Sequence, residues 1–332
     1  MTKTRIAAAF AAVLCVSAAS LEARELRVSN AAPAATPWGK ALDAFAARVA
    51  ELSGGKLTLK TFPGGQLGDE QETIRQTVRG RIDITGASNT AASLIVPEFA
   101  LLAAPYLWDT QAQGDCVTDK HLMTVYEPMF DDKGLRPISW TEIGNQILFT
   151  TSPVSVPADI AGKKIRTAPV RTDTIFINST GATAVPLGLA DSMPALKTGG
   201  VVGVTFPAVY GLAVGYQKVA SNILVTNHSH QTGGYFVSAK TWKSLSDEEK
   251  GWITDAAATT LSGLRPQIRK AEAGLLQKAA TEGATVHEIS GAQAKAWRLQ
   301  AAKVTEQVVE ETGGNAKAVW AKIQSAKQDC GS

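Results

Sequence analysis

Residues 56–85 read KLTLKTFPGGQLGDEQETIRQTVRGRIDIT, and this stretch decides the fold class. Lys56 to Phe62 alternates apolar and polar residues, as a half-buried strand does. Pro63 to Asp69 carries three glycines and a proline and reads as a turn. Glu70 to Arg79 follows as a polar-faced helix, and Arg81 to Thr85 as a strand with Ile82 and Ile84 pointing inward. Working back toward the N-terminus, Trp38, Ala41, Leu42, Phe45, Ala46, Val49 and Leu52 recur at three and four residues, one apolar helical stripe closed by Gly54 and Gly55. Glu25 to Ser29 before it is another strand. A β-α-β-α-β opening implies an α/β protein whose parallel sheet carries ligand-facing loops at the carboxyl ends of its strands. On that logic Asn30, Ala31, Ser88 and Asn89 meet at one cleft.

The second half repeats the grammar. Lys164 to Thr167 is a strand, Asp173 to Thr180 a helix, Ala184 to Leu187 a short strand before a helix ending at Gly199, and Val201 to Phe206 a buried strand. Ser246 and Glu249 form a capping box that opens a helix running to about Glu282, roughly 35 residues and about 50 Å, kinked at Pro266. Such a helix reaches under two lobes. Ala292 to Glu311 and Asn315 to Ala326 are the last helices.

The 332 residues are 45% hydrophobic, with 33 Lys and Arg against 30 Asp and Glu for a net charge of +3. That balance excludes a disordered chain, a nucleic-acid-binding tail and a polybasic membrane anchor. The length favours two lobes. At the start, Lys3 and Arg5, the uncharged apolar run Ile6 to Val16 and the small residues Ser17 to Ser20 read as a cleaved export signal, residues 1–23, with cleavage between Ala19 and Arg24. Export leaves Cys116 and Cys330 in a compartment where disulfides persist. They form either a bridge holding the C-terminal tail or two unpaired thiols, since sequence does not give their separation.

Enzyme signatures are missing: there is no GxxxxGK[ST] loop, no GxSxG elbow and no HExxH. His228 and His230 lack clustered Cys or carboxylates and read as ordinary hydrogen-bonding residues at a strand end. No metal or other cofactor is expected.

The turn Gly64, Gly65, Gln66, Leu67, Gly68, Asp69, Glu70 resembles the GQLGD turn of the solute receptors of tripartite ATP-independent periplasmic (TRAP) transporters, the DctP family. Phe45 to Gly55 is similar to that family's first helix and its Gly-Gly stop, Pro97 to Leu107 to its PxFxxLxxPYL segment, and Gly162 to Arg166 to its GxKIR strand. Gly181 to Pro186 and Ala195 to Gly199 continue the likeness over nearly all of the chain after the leader. The resemblance implies a two-lobed periplasmic binding protein fold with an interlobe cleft, crossing strands and a long lobe-spanning helix. Under it, residues 24–143 and about 232–271 form one lobe, 144–231 and about 272–312 the other, and 313–332 a C-terminal helix and tail.

It also implies that Arg166, the Arg of the KIR strand, pairs with a ligand carboxylate, which a planar guanidinium matches through two parallel bonds. Arg166→Ala is then expected to abolish binding and leave the fold intact. The sequence departs from the family at informative places. Gln146 stands where many relatives carry a second Arg, Phe206 where an Asn often helps hold the carboxylate, and Leu189 where an aromatic is frequent. One cation fewer disfavours a second ligand carboxylate, so the expected ligand is a monocarboxylate with an apolar or aromatic body. Trp38 either stacks on that body or packs in the core. Asn30, Ser88, Asn89 and Gln146 either contact ligand oxygens or cap their own loops.

The expected protein is therefore a monomeric periplasmic receptor that binds a small organic acid, closes, and docks on TRAP permease membrane subunits. It has no nucleic-acid partner. A sensory receptor of the same fold for a membrane kinase, an exported enzyme acting on small acids, and a receptor for an ABC-type permease are the alternatives.

Overall fold

The computed structural model describes residues 23–331, so the export signal lies outside the described residues. Ten strands form one mixed sheet. They are β1 (Arg24–Asn30), β2 (Leu57–Phe62), β3 (Ile84–Ser88), β4 (Leu135–Thr150), β5 (Lys164–Thr167), β6 (Thr183–Pro186), β7 (Gly203–Pro207), β8 (Asn222–Val225), β9 (His230–Ser238) and β10 (Thr285–Glu288). The main path runs β2-β1-β3-β9-β4-β7-β5-β6, and β8 joins β4 to β10. The opening unit is parallel as its sequence pattern requires: β1 pairs with β2 on one side and β3 on the other. β3 starts at Ile84, three residues later than Arg81, and the Asp83 carboxylate just before it accepts a hydrogen bond from the Arg27 amide at 2.8 Å.

The turn before the helix Glu70–Arg79 shows why it holds three glycines. Gly64, Gly65 and Gly68 all have positive φ, from +66° to +115°, where a side chain is strained. Asp69 then caps the helix, its Oδ1 accepting from the Glu72 amide at 2.8 Å.

β4 and the run from β8 into β9 cross between the halves of the sheet. β4 pairs with β9 from Leu135 to Asn145, then with β7 from Gln146 onward. One chain segment thus passes between the two halves of the sheet between Asn145 and Gln146. A register shift lies just before the crossing, between Glu142 and Gly144, where Gly144 adopts φ +106°. Pro137 and this bulge break the alternation, which is why β4 has no clean period in the sequence.

The long helix is two helices. Asp247–Thr260 keeps the capping box, with Ser246 Oγ accepting from the Glu249 amide at 3.1 Å and the Glu249 carboxylate accepting from the Ser246 amide at 2.7 Å. It ends at Leu261, and Leu264–Thr281 begins after Gly263. Pro266 is the third residue of this second helix, where a backbone N–H would have no intrahelical partner. Its ring would have collided with the Ser262 carbonyl in a continuous helix, so the sequence produces a break upstream rather than a kink at the proline.

Cys116 and Cys330 are joined, with Cα atoms 5.8 Å apart. The bond holds the end of the helix Ala316–Asp329 against the helix Gln111–Val117. Gln113 Nε2 also donates to the Gly331 carbonyl at 2.6 Å. Among the described residues no helix is long and apolar enough to cross a membrane.

Candidate functional site: an arginine cleft at the strand crossing

The carboxyl ends of β1, β3, β5 and β7 surround a cavity of about 750 Å³, counting its open mouth. Asn30, Trp38, Ser88, Gln146, Arg166, Leu189 and Phe206 all line it. Asn89 does not: it opens the short helix Asn89–Ala92, fully buried, and its amide finds no partner among the described residues.

Arg166 sits at the centre and is only 2% exposed. Its Nε and Nη2 donate to the Leu187 carbonyl at 3.0 and 2.7 Å, and its Nη1 donates to the Thr205 carbonyl at 2.8 Å. Three of the guanidinium's five N–H groups are thereby committed, leaving one on each terminal nitrogen. The Phe206 ring lies under the guanidinium carbon, 3.9 Å from its centroid, and stacks in turn on Tyr216. Phe206 is therefore a platform that holds the arginine plane. Among the described residues no carboxylate lies within ion-pair distance of Arg166. Burial pushes its pKa down to about 10, which still leaves it cationic at neutral pH.

The other positions are less free. Gln146 Nε2 donates to Asp173 Oδ2 at 2.7 Å, while its Oε1 is buried without a partner among the described residues. Gln231 Nε2, also lining the cavity, is likewise unpartnered. Asn30 bonds both ways, accepting from the Ala32 amide at 2.7 Å and donating to the Tyr235 hydroxyl at 3.1 Å. Trp38 Nε1 donates to the Glu142 carbonyl at 2.9 Å, so the indole packs in the core while one side of it lines the cavity. Leu189 is the first residue of the helix Leu189–Lys197.

Two acids at the site escape sequence reading. Glu70 lines the cavity, its Oε1 accepting from Ser88 Oγ at 2.7 Å and its Oε2 from the Ser88 amide at 3.1 Å. Burial raises its pKa, and the two bonds from Ser88 oppose the rise. Asp173 lies behind Gln146, and burial lifts its pKa to about 6 against the opposing pull of Gln146 and Arg166. Glu70 reads in sequence only as a first-turn helix acid, and Asp173 as another. Among the described lining residues Arg166 is the one cation and Glu70 the one acid.

His228 and His230 serve structure. The His228 ring shares a hydrogen bond with Thr226 Oγ1 at 2.7 Å and stacks on Phe176, and His230 Nδ1 meets Asn145 Oδ1 at 3.2 Å. Burial lowers their pKa values to about 3 and about 4, so both are neutral at pH 7.

Asp173 gives a signed pH dependence. Its folded pKa of about 6 exceeds its ordinary value of 3.8, so the folded state binds more protons between those values. Its ionisation therefore costs stability as the pH climbs through that window. Asp173→Asn is expected to match the parent below about pH 4 and to exceed it by up to about 3 kcal/mol above about pH 7. Urea unfolding at both ends of the range checks this, and a gap that does not widen with pH contradicts it.

The whole chain has known relatives in sequence and in fold. A solute-binding protein of Chromohalobacter salexigens is 26% identical over 313 residues, covering 90% of this chain and 92% of its own. The crystal structure of a sugar acid binding protein from Advenella mimigardefordensis, in complex with galactonate, superposes with a TM-score of 0.88 at 26% identity, covering 93% of this chain and 99% of its own. A TRAP periplasmic solute binding protein from Chromohalobacter salexigens with bound D-glucuronate gives 0.85 at 25% identity, covering 91% and 99%. The model of the bacterial extracellular solute-binding proteins of family 7 matches residues 28–312, and the chain belongs to this DctP family.

Proposed function

We propose that the chain is the periplasmic receptor of a TRAP transporter, a monomer that captures an organic monocarboxylate at Arg166 and presents it to membrane permease subunits. The observation that carries this reading is the buried guanidinium with one uncommitted N–H on each terminal nitrogen and, among the described residues, no acid paired to it. A carboxylate placed there gains two charge-assisted bonds, and exclusion of water strengthens them. The single cation sets the ligand's charge, because a second carboxylate would be buried unpaired beside Glu70. Trp38, Leu189, Pro169, Pro207 and Tyr210 offer apolar walls to the ligand's body. The relatives bound to galactonate and D-glucuronate each hold an acid with one carboxylate, on a polyhydroxylated body and not the apolar or aromatic one expected from the sequence. The role is capture without turnover: opening and closing of the lobes across the β4 and β9 crossing convert ligand binding into a shape that the permease reads.

Thermal unfolding against a panel of mono- and dicarboxylates tests the proposal. A ligand that binds only the folded state stabilises it by about 2.7 kcal/mol at a hundredfold excess over its dissociation constant. Stabilisation by monocarboxylates supports the reading, and stabilisation confined to dicarboxylates contradicts it.

Gln146 gives a sharper test of the charge argument. Placing Arg at 146 sets its guanidinium beside Asp173, which now takes the amide at 2.7 Å, so the new charge is consumed before it reaches the ligand. Gln146→Arg alone is expected to change preference little. The double variant Gln146→Arg with Asp173→Asn frees the charge and should shift preference toward dicarboxylates by at least about tenfold in a competition assay. Equal behaviour of the single and double variants would place Asp173 outside the electrostatics of the site.

A further inference from the structure

Gln146 and Gln231 line the arginine cleft, while their chain neighbours Asn145 and His230 line a second cavity of about 610 Å³, counting its open mouth. Successive residues of a strand face opposite sides of its sheet, so the two cavities lie back to back across β4 and β9 at the crossing. The segment from Tyr106 to Gly114 supplies much of the second cavity's lining, and Arg298 supplies its cation. Arg298 belongs to the helix Gly291–Thr312, which is shared between two cores. Its Trp297 packs in the core of Ile165 and Phe176, and its Val304 and Val308 pack in the core of Phe99 and Tyr126.

Two features of this cavity point to an occupant. The first is the cation. Arg298 lies over the Tyr106 ring, 4.7 Å from its centroid, much as Arg166 lies over Phe206. Its side chain has no hydrogen-bond or ion-pair partner among the described residues, so all five N–H groups are uncommitted. The one acid lining the cavity, Asp109, is answered by Lys327 Nζ at 3.3 Å, and His230 is neutral. Behind the lining, Asp115 and Glu142 are answered by Arg265 and Arg269.

The second feature is the backbone. Among the described residues Tyr106 and Asn227 are the only non-glycine residues with positive φ, +52° and +46°, and both line this cavity. A bulky residue in that region is strained, and strain of this kind persists where surrounding bonds enforce it and clusters at ligand sites. Here the Tyr106 amide donates to the His228 carbonyl at 2.8 Å and its hydroxyl to the Thr226 carbonyl at 3.1 Å. Those two bonds fix the ring on which Arg298 rests.

We propose that this cavity is a second ligand site, one that takes a small organic acid with a flat aromatic or unsaturated body. The carboxylate pairs with the fork of Arg298, and the body lies against Tyr106 and Trp108. Arg298 is exposed, so an ion pair with it is weak by itself and the flat body has to supply the rest of the affinity. A bare inorganic anion has no such body and binds poorly. The inference stands apart from the receptor reading, because the two cavities share no lining residue. The alternative is that Tyr106 only fastens its segment to the crossing, with Arg298 stacked on it as a solvated side chain. That role gives no saturable response to an added acid.

The experiment is a two-dimensional nitrogen–proton spectrum of the labelled protein, read at the indole N–H signals of Trp38 in the front cleft and Trp108 in the back cavity, each assigned by its Trp→Phe variant. Benzoate is titrated into Arg166→Lys, which weakens the front site, and into the same protein carrying Arg298→Gln. Sulfate is the inorganic control. Benzoate is expected to move the Trp108 signal saturably in Arg166→Lys, and Arg298→Gln should weaken that response about fivefold. Because Arg298 is exposed and bonds nothing among the described residues, its Gln variant should keep the spectrum of the folded protein when no acid is present. A Trp108 signal that does not respond to benzoate overturns the inference. So does a benzoate affinity that Arg298→Gln leaves unchanged, and so does sulfate moving the Trp108 signal as tightly as benzoate. Movement of the Trp38 signal alone, unaffected by Arg298→Gln, overturns it as well and places the acid in the front cleft.

Discussion

Arg166→Lys is expected to lose about a hundredfold or more in affinity for the ligand while the protein stays folded. The parent side chain makes three backbone bonds and still presents one N–H from each terminal nitrogen. A lysine ammonium has three donors on one atom, so it cannot serve the Leu187 and Thr205 carbonyls and also offer a planar fork to a carboxylate. Truncating one partner of a buried charge pair costs about 2–5 kcal/mol, which sets the scale of the loss. Arg166→Ala should abolish binding, but it is not structurally silent, contrary to what the sequence alone suggests. It strands the Leu187 and Thr205 carbonyls and removes the cation stacked on Phe206, with a stability cost of about 1–3 kcal/mol for each group left unpaired, offset by release of a desolvated charge. Calorimetric titration of the Lys variant, with its unfolding midpoint measured alongside, separates the two effects. Unchanged affinity in Arg166→Lys would remove Arg166 from the site.

Opening the Cys116–Cys330 bond is expected to lower stability by about 2–5 kcal/mol. The bond closes a loop across a sequence separation of 214, so its removal frees a large part of the unfolded chain. The folded tail keeps other attachments. Ile323 and Val319 are buried, Lys327 Nζ donates to the Leu107 carbonyl at 2.5 Å, and Gln113 holds Gly331. The tail should therefore stay docked when the bond is opened, and the loss should appear in global unfolding. Urea unfolding of the paired variant Cys116→Ser with Cys330→Ser against the parent measures it. Equal stability would mean that the bond does not restrict the unfolded chain.

The sequence carried some of this architecture openly and concealed the rest for identifiable reasons. The β1 to β3 unit was legible because its helices have one apolar face and its strands alternate. The crossing strands were not, since Gly233 and Gly234 interrupt β9 and Pro137 and Gly144 interrupt β4, and both lie between neighbours on either side. The capping box at Ser246 located the start of its helix correctly. The proline at 266 reads in sequence as a kink, whereas its place in the first turn of a new helix makes it a start signal. At the site, the position of Arg166 followed from the family's strand motif. Phe206 reads in sequence as a substitution facing the ligand, but in the fold it also lies beneath the arginine and supports it. Glu70 is hidden because its direction depends on β3 bringing Ser88 to it across 18 residues, which no local pattern records. The same limit hid the pairing of Gln146 with Asp173, 27 residues apart.

The central claim is that a ligand carboxylate occupies the two uncommitted N–H groups of Arg166. A crystal structure of the protein grown with a monocarboxylate that stabilises it tests this most directly. The account predicts the two carboxylate oxygens about 2.7–2.9 Å from Nη1 and Nη2, with the Phe206 ring still beneath the guanidinium. A carboxylate bound elsewhere in the cavity, or a guanidinium that has swung off Phe206 to pair with Glu70 or Asp173, would contradict it.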